Sequence, residues 1–293
     1  MNKTVTKILV QFCIYLFSLL APWHLALAQE EQVELVYVEW SSEVVSTNII
    51  KVVLEKLGYE VKIIPVSAAA MWQAVASSDA DGLVAAWLDT THAHYLDAVD
   101  KKVINLGPNL EGTKIGLVVP DYVSVNSIEE LNQYADKLDN KIIGIDPGAG
   151  LMSKTEKAIE EYQLNDFKLI EGSGATMTAA LKAAIDSQEW IVVTGWTPHW
   201  KFSRWKLKYL EDPKGIYGGE EHISTIVRQG LKEEMPEVYQ LLDNFYWTPA
   251  DMEEVMVWNQ EPGADPYENA QRWVKDNKDK VKQWLPEGST FKQ

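Results

Sequence analysis

The sequence predicts an α/β protein of two similar blocks followed by a helical tail, with a ligand cleft between the blocks. Three observations carry that expectation. Strand-like and helix-like patterns alternate over residues 33–87, and the same alternation returns over residues 114–194. From residue 233 onward the patterning is mostly helical. No Gly/Ser- or Pro-rich stretch separates the blocks, so short crossing segments rather than a flexible linker join them. A length of 293 residues suits about two domains.

In the first block, residues 33–39 alternate in part and are rich in β-branched side chains, which marks a strand. Ile49, Ile50, Val53, Leu54 and Leu57 recur at helical spacing, and Gly58 stops that helix. Residues 61–66 read as a strand and 68–76 as a short helix. Residues 82–87 form a continuous apolar run, as a strand buried on both faces does. Such alternation gives parallel strands joined by crossover helices. In the second block, strands are expected at 114–119, 141–145, 167–170 and 190–194. Helices are expected at 127–134, 151–162 and 176–185. The tail has amphipathic pieces at 235–245, 250–259 and 267–284.

The first 28 residues have another character. Lys3 and Lys7 precede an apolar run over 8–20, then Ala26-Leu27-Ala28 and the acidic Gln29-Glu30-Glu31. This is the pattern of a secretory signal peptide cleaved after Ala28. The run is shorter than the ~20 residues that span a bilayer, so a retained anchor is not expected. The single cysteine, Cys13, lies inside the run and not at a lipoprotein position, so cleavage leaves no cysteine. That excludes a disulfide framework and a Cys-based zinc site. With 27 Lys+Arg against 43 Asp+Glu the net charge is −16, and losing two lysines makes it −18. Nucleic acid and anionic membranes are disfavoured as partners, whereas a cationic ligand is tolerated. The 46% hydrophobic content excludes wholesale disorder. An acidic, cysteine-free exported protein suggests the periplasm.

Ligand sites in open α/β sheets lie beyond the carboxyl ends of strands. That rule selects Trp40, residues 87–92, residues 146–151 and residues 194–199. Trp40, Trp87 and Trp196 stand at such ends in a chain with 12 tryptophans. One Trp there is ordinarily packing; three at equivalent ends suggest aromatic faces around a quaternary ammonium. At ~1–2 kcal/mol each, three such faces supply much of the roughly 8 kcal/mol that a micromolar site requires. The other eight after residue 28, Trp72, Trp190, Trp200, Trp205, Trp247, Trp258, Trp273 and Trp284, read as packing residues, with Trp200 and Trp205 near a hinge.

Asp146-Pro147-Gly148-Ala149-Gly150-Leu151 joins a strand to a helix. Its glycines permit close backbone approach, and the helix start offers free N–H groups to an anion such as a carboxylate, although a plain turn explains it equally. It lacks the Lys-Ser/Thr of a P-loop and the full GxGxxG spacing, which disfavours nucleotides. His92 stands just past a strand end, where it donates to the same carboxylate or is simply a surface residue. His94 and His199 offer a metal site with it, but no further ligand stands at diagnostic spacing, so no metal or other cofactor is expected. No nucleophile elbow, catalytic cysteine or HExxH motif is present, and capping or surface roles suffice for Asp89, Asp146 and Glu43. The chain is not expected to be an enzyme.

Several segments together resemble the glycine betaine-binding proteins of compatible-solute ABC importers. They are Val38-Glu39-Trp40, Ala85-Ala86-Trp87-Leu88 with Thr91-His92, Gly144 to Gly150, and Val192 to Trp200. Gly107-Pro108-Asn109-Leu110-Glu111-Gly112 and Tyr209-Leu210-Glu211-Asp212-Pro213-Lys214-Gly215 join them. The resemblance runs over nearly all of the mature chain. It implies a two-lobed type II periplasmic-binding-protein fold, each lobe a mostly parallel sheet flanked by helices. Residues 29–117 with 207–293 would form one lobe and 118–206 the other. It further implies a prism of Trp40, Trp87 and Trp196, with His92 and the backbone amides of Gly150 and Leu151 on the ligand carboxylate. The implied partners are a small zwitterionic quaternary ammonium ligand, glycine betaine or proline betaine, and the permease and ATPase subunits of an ABC importer; the chain is expected to be a monomer. Choline-binding relatives place an acid two residues after the first cage tryptophan; here that position is Ser42, beside Glu43. Choline, carnitine, ectoine or dimethylsulfoniopropionate remain alternative ligands, and a periplasmic enzyme acting on such compounds a remote one.

Overall fold

The structure, a computed structural model, describes residues 32–291. The expected signal segment and Cys13 lie outside the described residues. Strands β1 (Gln32–Tyr37), β2 (Glu60–Pro65) and β3 (Gly82–Leu88) alternate with helices α1 (Ser41–Leu57), α2 (Ala68–Ala76) and α3 (Ala93–Val99). After the long strand β4 (Val103–Pro120) and a 3-10 segment (Ile128–Leu138), β5 (Lys141–Ile143), β6 (Lys168–Ile170) and β7 (Val193–Thr197) alternate with α4 (Gly150–Glu161), α5 (Gly174–Ser187) and α6 (Trp200–Arg204). The short β8 (Leu207–Tyr209) and β9 (Glu221–Arg228) precede the tail helices α7 (Leu231–Glu234), α8 (Pro236–Asn244), α9 (Pro249–Trp258), α10 (Pro266–Asp276) and α11 (Lys278–Lys282).

Local chemistry explains the helix ends. Gly58 closes α1 at φ 101, and its N–H bonds back to Leu54 and Glu55, a left-handed cap that glycine makes without a Cβ penalty. In the tail, α8, α9 and α10 each begin with proline, whose missing N–H costs nothing in the first turn. Thr248 and Asp251 form a reciprocal capping box on α9.

The strands make one sheet in the order β2-β1-β3-β9-β4-β7-β5-β6, with β8 on β4. Pairing is parallel at each end, β2-β1-β3 and β7-β5-β6, as the strand–helix alternation requires. Through the middle, β3-β9-β4-β7, it is antiparallel. All seven residues of β3 are buried, as its apolar run anticipated.

The middle of the sheet departs from the sequence expectation. A strand was expected at 114–119 only, but β4 begins at Val103 and serves both ends of the sheet. Val103 to Thr113 pair with β9, and Lys114 to Val118 pair with β7. Register shifts interrupt the β9 pairing at Asn105/Gly107, Pro108/Leu110 and Glu111/Thr113, and they break the period-2 pattern that marks a strand. The strand β9, with β8 and α3, was not anticipated at all.

Candidate functional site

A small, partly open cavity lies between the two ends of the sheet. Trp40, Trp87, His92, Gly150, Leu151 and Trp196, all six residues singled out in the sequence, line it together with Ser42, Thr91, Ile115, Ile145 and Ala149. Trp87 lies within β3, and Trp196 lies within β7 opposite Ile115 of β4. Trp40 stands three residues past the end of β1 as the N-cap of α1. All three indoles are at most 7% exposed, so a ligand meets aromatic surface already withdrawn from water.

His92 is fully buried. Its Nδ1 accepts from the Trp87 backbone N–H at 3.2 Å, which leaves the ring proton on Nε2. Nε2 is buried and has no hydrogen-bond partner among the described residues. Burial, helped by the charge of nearby His94, drives the His92 pKa down to about 3, so the ring is a neutral donor. The loop before it is fastened by Glu221 of β9, whose carboxylate accepts from Thr90 N (2.7 Å), Thr91 N (2.6 Å) and Thr91 Oγ1 (2.5 Å).

Gly150 and Leu151 open α4 with Ala149 as N-cap, so their N–H groups lie in the first turn, where no helical acceptor exists. Glycine is required at 150 by close approach. A Cβ there would lie 2.0 Å from the Thr91 carbonyl oxygen. The start of α4 and the His92 loop are thus in direct contact. Two side chains tie the 146–149 turn to the opposite wall: Trp40 Nε1 donates to Asp146 Oδ2 at 2.8 Å, and the Tyr95 hydroxyl donates to the Gly148 carbonyl at 2.6 Å.

Other residues support the walls from behind. Trp72, set aside as packing, is buried and meets His92 edge-on, with ring centroids 6.1 Å apart. His199, weighed as a metal ligand, is buried edge-on against Trp196 at 4.6 Å. Its Nδ1 accepts from Lys201 N at 3.1 Å, and its Nε2 lies 3.3 Å from Ser41 Oγ. Lys201 Nζ sits 4.4 Å from the Trp196 ring centroid with no hydrogen-bond partner among the described residues. Burial holds both below their usual pKa ranges, Lys201 and His199 alike. Among the described residues no group of three or more His, Cys, Asp or Glu is placed to hold a metal ion. Glu221 and the supporting part of Asp146 were not legible because they act across about 130 and 106 positions of sequence, whereas Lys201, five positions after Trp196, fell just outside the segments flagged for the site.

Chemically, three indole faces suit a weakly hydrated cation, and a helix start beside a neutral N–H donor suits an anion. The cavity therefore has the two-ended polarity of a zwitterion.

Comparison with known proteins points the same way. Residues 31–276 match the family described as the substrate-binding domain of ABC-type glycine betaine transport systems. The glycine betaine/carnitine transport binding protein GbuC of Listeria monocytogenes is 50% identical over 151 residues, which span 51% of this chain and 50% of that protein's length. Lactococcal OpuAC, crystallised closed with glycine betaine, superposes at a TM-score of 0.84 and 47% identity, covering 88% of this chain and all of that one. The binding protein ProX of Borrelia burgdorferi superposes at 0.86 and 41% identity, covering 88% and 97%. The architecture is the type II periplasmic-binding-protein fold expected from the sequence.

Proposed function

This chain belongs to the family of substrate-binding domains of ABC-type glycine betaine transport systems, and on that premise we propose that it captures glycine betaine, and proline betaine with it, for delivery to a permease and its ATPase. The observation that carries this reading is one cavity lined by Trp40, Trp87 and Trp196 together with the unpartnered His92 Nε2 and the first turn of α4. The ammonium rests among the indoles. The carboxylate accepts from His92 Nε2 and from the N–H groups of Gly150 and Leu151. The zwitterion thereby spans residues from both ends of the sheet. Residues 29–117 with 207–293 act as one lobe and 118–206 as the other, and closure follows ligand contact with both. The exchange of β4 from β9 to β7 after Thr113 supports a crossover in that region.

Choline carries no carboxylate and would leave these donors buried and unpaired, at a cost of ~1–3 kcal/mol per group. Zwitterions are therefore preferred over choline. The chain binds and releases its ligand without chemical change, works as a monomer, and is exported to the periplasm with loss of residues 1–28.

Intrinsic tryptophan fluorescence titrated with glycine betaine tests the reading. A saturable change is expected, with proline betaine and carnitine competing better than choline. No saturable change up to millimolar ligand overturns the assignment. Choline winning the competition overturns the carboxylate role. Ligand altered after prolonged incubation overturns the non-catalytic reading.

A further inference from the structure

Among the described residues, Trp40 is the cavity wall whose indole N–H is satisfied by a carboxylate. Nε1 donates to Asp146 Oδ2 at 2.8 Å, whereas Trp196 Nε1 is buried and unpartnered. A hydrogen bond to a charged acceptor is short and strong, and it fixes the rotation of the ring that donates it. It also polarises the donor, drawing positive charge toward N–H and leaving the ring face more negative. The face of Trp40 that lines the cavity gains attraction for a cation, and only for a cation.

Position makes the contact more than a prop. Asp146 opens the turn whose far end is Gly150, and the Ala149 N–H closes that turn onto the Asp146 carbonyl at 3.1 Å. One turn thus holds a wall of the cation cage through its first residue and presents the anion seat through its last. We propose that Asp146 is a specificity-determining residue acting through Trp40: its carboxylate orients and electronically enriches the indole, so that the cavity prefers a quaternary ammonium to an uncharged headgroup of the same shape. The inference rests on the function proposed above.

The test compares glycine betaine with its carbon isostere 3,3-dimethylbutanoate, which keeps shape and carboxylate but has no cationic nitrogen. Dissociation constants are measured for the full chain as wild type, D146N, W40F and W40F/D146N. Asparagine keeps an acceptor for the indole and removes the charge. D146N is expected to weaken glycine betaine about 5- to 30-fold and to leave the isostere within about 2-fold. In the W40F background, which has no indole N–H, the same substitution is expected to change glycine betaine affinity by less than about 2-fold. An equal loss for both ligands, or an undiminished loss in W40F, overturns the proposal and assigns Asp146 a merely structural part. Where the isostere binds too weakly to titrate, the four-variant cycle with glycine betaine decides alone. A single cooperative thermal transition in every ligand-free variant, with the D146N midpoint near wild type and those of the W40F variants lowered by loss of the buried indole, separates this from misfolding. Wild type failing to bind glycine betaine overturns the functional reading and this inference with it; wild-type binding with D146N unchanged overturns this inference alone.

Discussion

Trp40, Trp87 and Trp196 each present one ring to the cavity, but their surroundings differ, and so do the expected costs of removing them. Trp→Ala at 87 or 196 is expected to weaken glycine betaine binding by ~1–3 kcal/mol, about 5- to 150-fold, in calorimetric titration. W40A is expected at the top of that range, because the ring it removes is the one whose N–H is held by the Asp146 carboxylate, and the carboxylate left without that donor lowers stability as well. Affinities unchanged in all three variants would remove the indoles from the binding account. Gly150 is constrained differently. The Cβ of G150A cannot lie 2.0 Å from the Thr91 oxygen, so α4 or the Thr91 loop must shift. Overpacking of this kind costs ~1–3 kcal/mol, and here the shift moves the helix start proposed to hold the ligand carboxylate. Both a lower thermal midpoint and weaker ligand binding are expected, measured on the same preparation. Full affinity in G150A would mean that the seat does not depend on that contact.

At the scale of elements, the loop after β3 owes its shape to a strand remote in sequence. Glu221 of β9 accepts three hydrogen bonds from Thr90 and Thr91, some 130 positions away. E221Q offers one acceptor oxygen and one donor NH₂ where the loop needs two acceptors. It is expected to lower stability by ~1–3 kcal/mol and to weaken binding through misplacement of His92, read by thermal denaturation and fluorescence titration. Such a partner leaves no local trace, so the sequence could not reveal it. What could be read were features that repeat over short distances: the apolar run of β3, the periodic face of α1, and the Asp146–Leu151 turn. The last site strand was expected at 190–194 but lies at Val193–Thr197. Thr194-Gly195 read as the end of a strand, yet Gly195 is an interior position where Val118 Cγ2 occupies the space of a Cβ, only 2.5 Å from where one would stand. The first half of β4 was hidden for a related reason, since three register shifts erase its alternation.

For the molecule as a whole, the buried titratable groups in and around the cavity walls set how stability responds to acid. His92 titrates near 3 in the folded chain and His199 well below its usual range, both mainly through burial. Unfolded histidine takes up a proton near 6.5. Between that pH and the folded values the unfolded chain binds more protons, so stability must fall as pH falls. This contribution is fully present above about 6.5, and each histidine withdraws roughly 1 kcal/mol per pH unit below it. Lys201 has the same sign, but its window opens below the unfolded lysine value near 10.4, so part of its cost is already present at neutral pH. Glu43 opposes them. Burial raises its pKa well above the ordinary carboxylate value, so its stabilising contribution is complete below about 4.3 and is lost as pH rises. The thermal midpoint of the ligand-free protein is therefore expected to drop between pH 7 and pH 5. H92Q and H199N should each flatten that profile, because the unfolded chain then has one proton fewer to gain. E43Q should steepen it, because the opposing term is gone. Scanning calorimetry at half-unit pH steps checks all three, and a profile in H92Q as steep as wild type would show that the His92 imidazole is not held neutral by the fold.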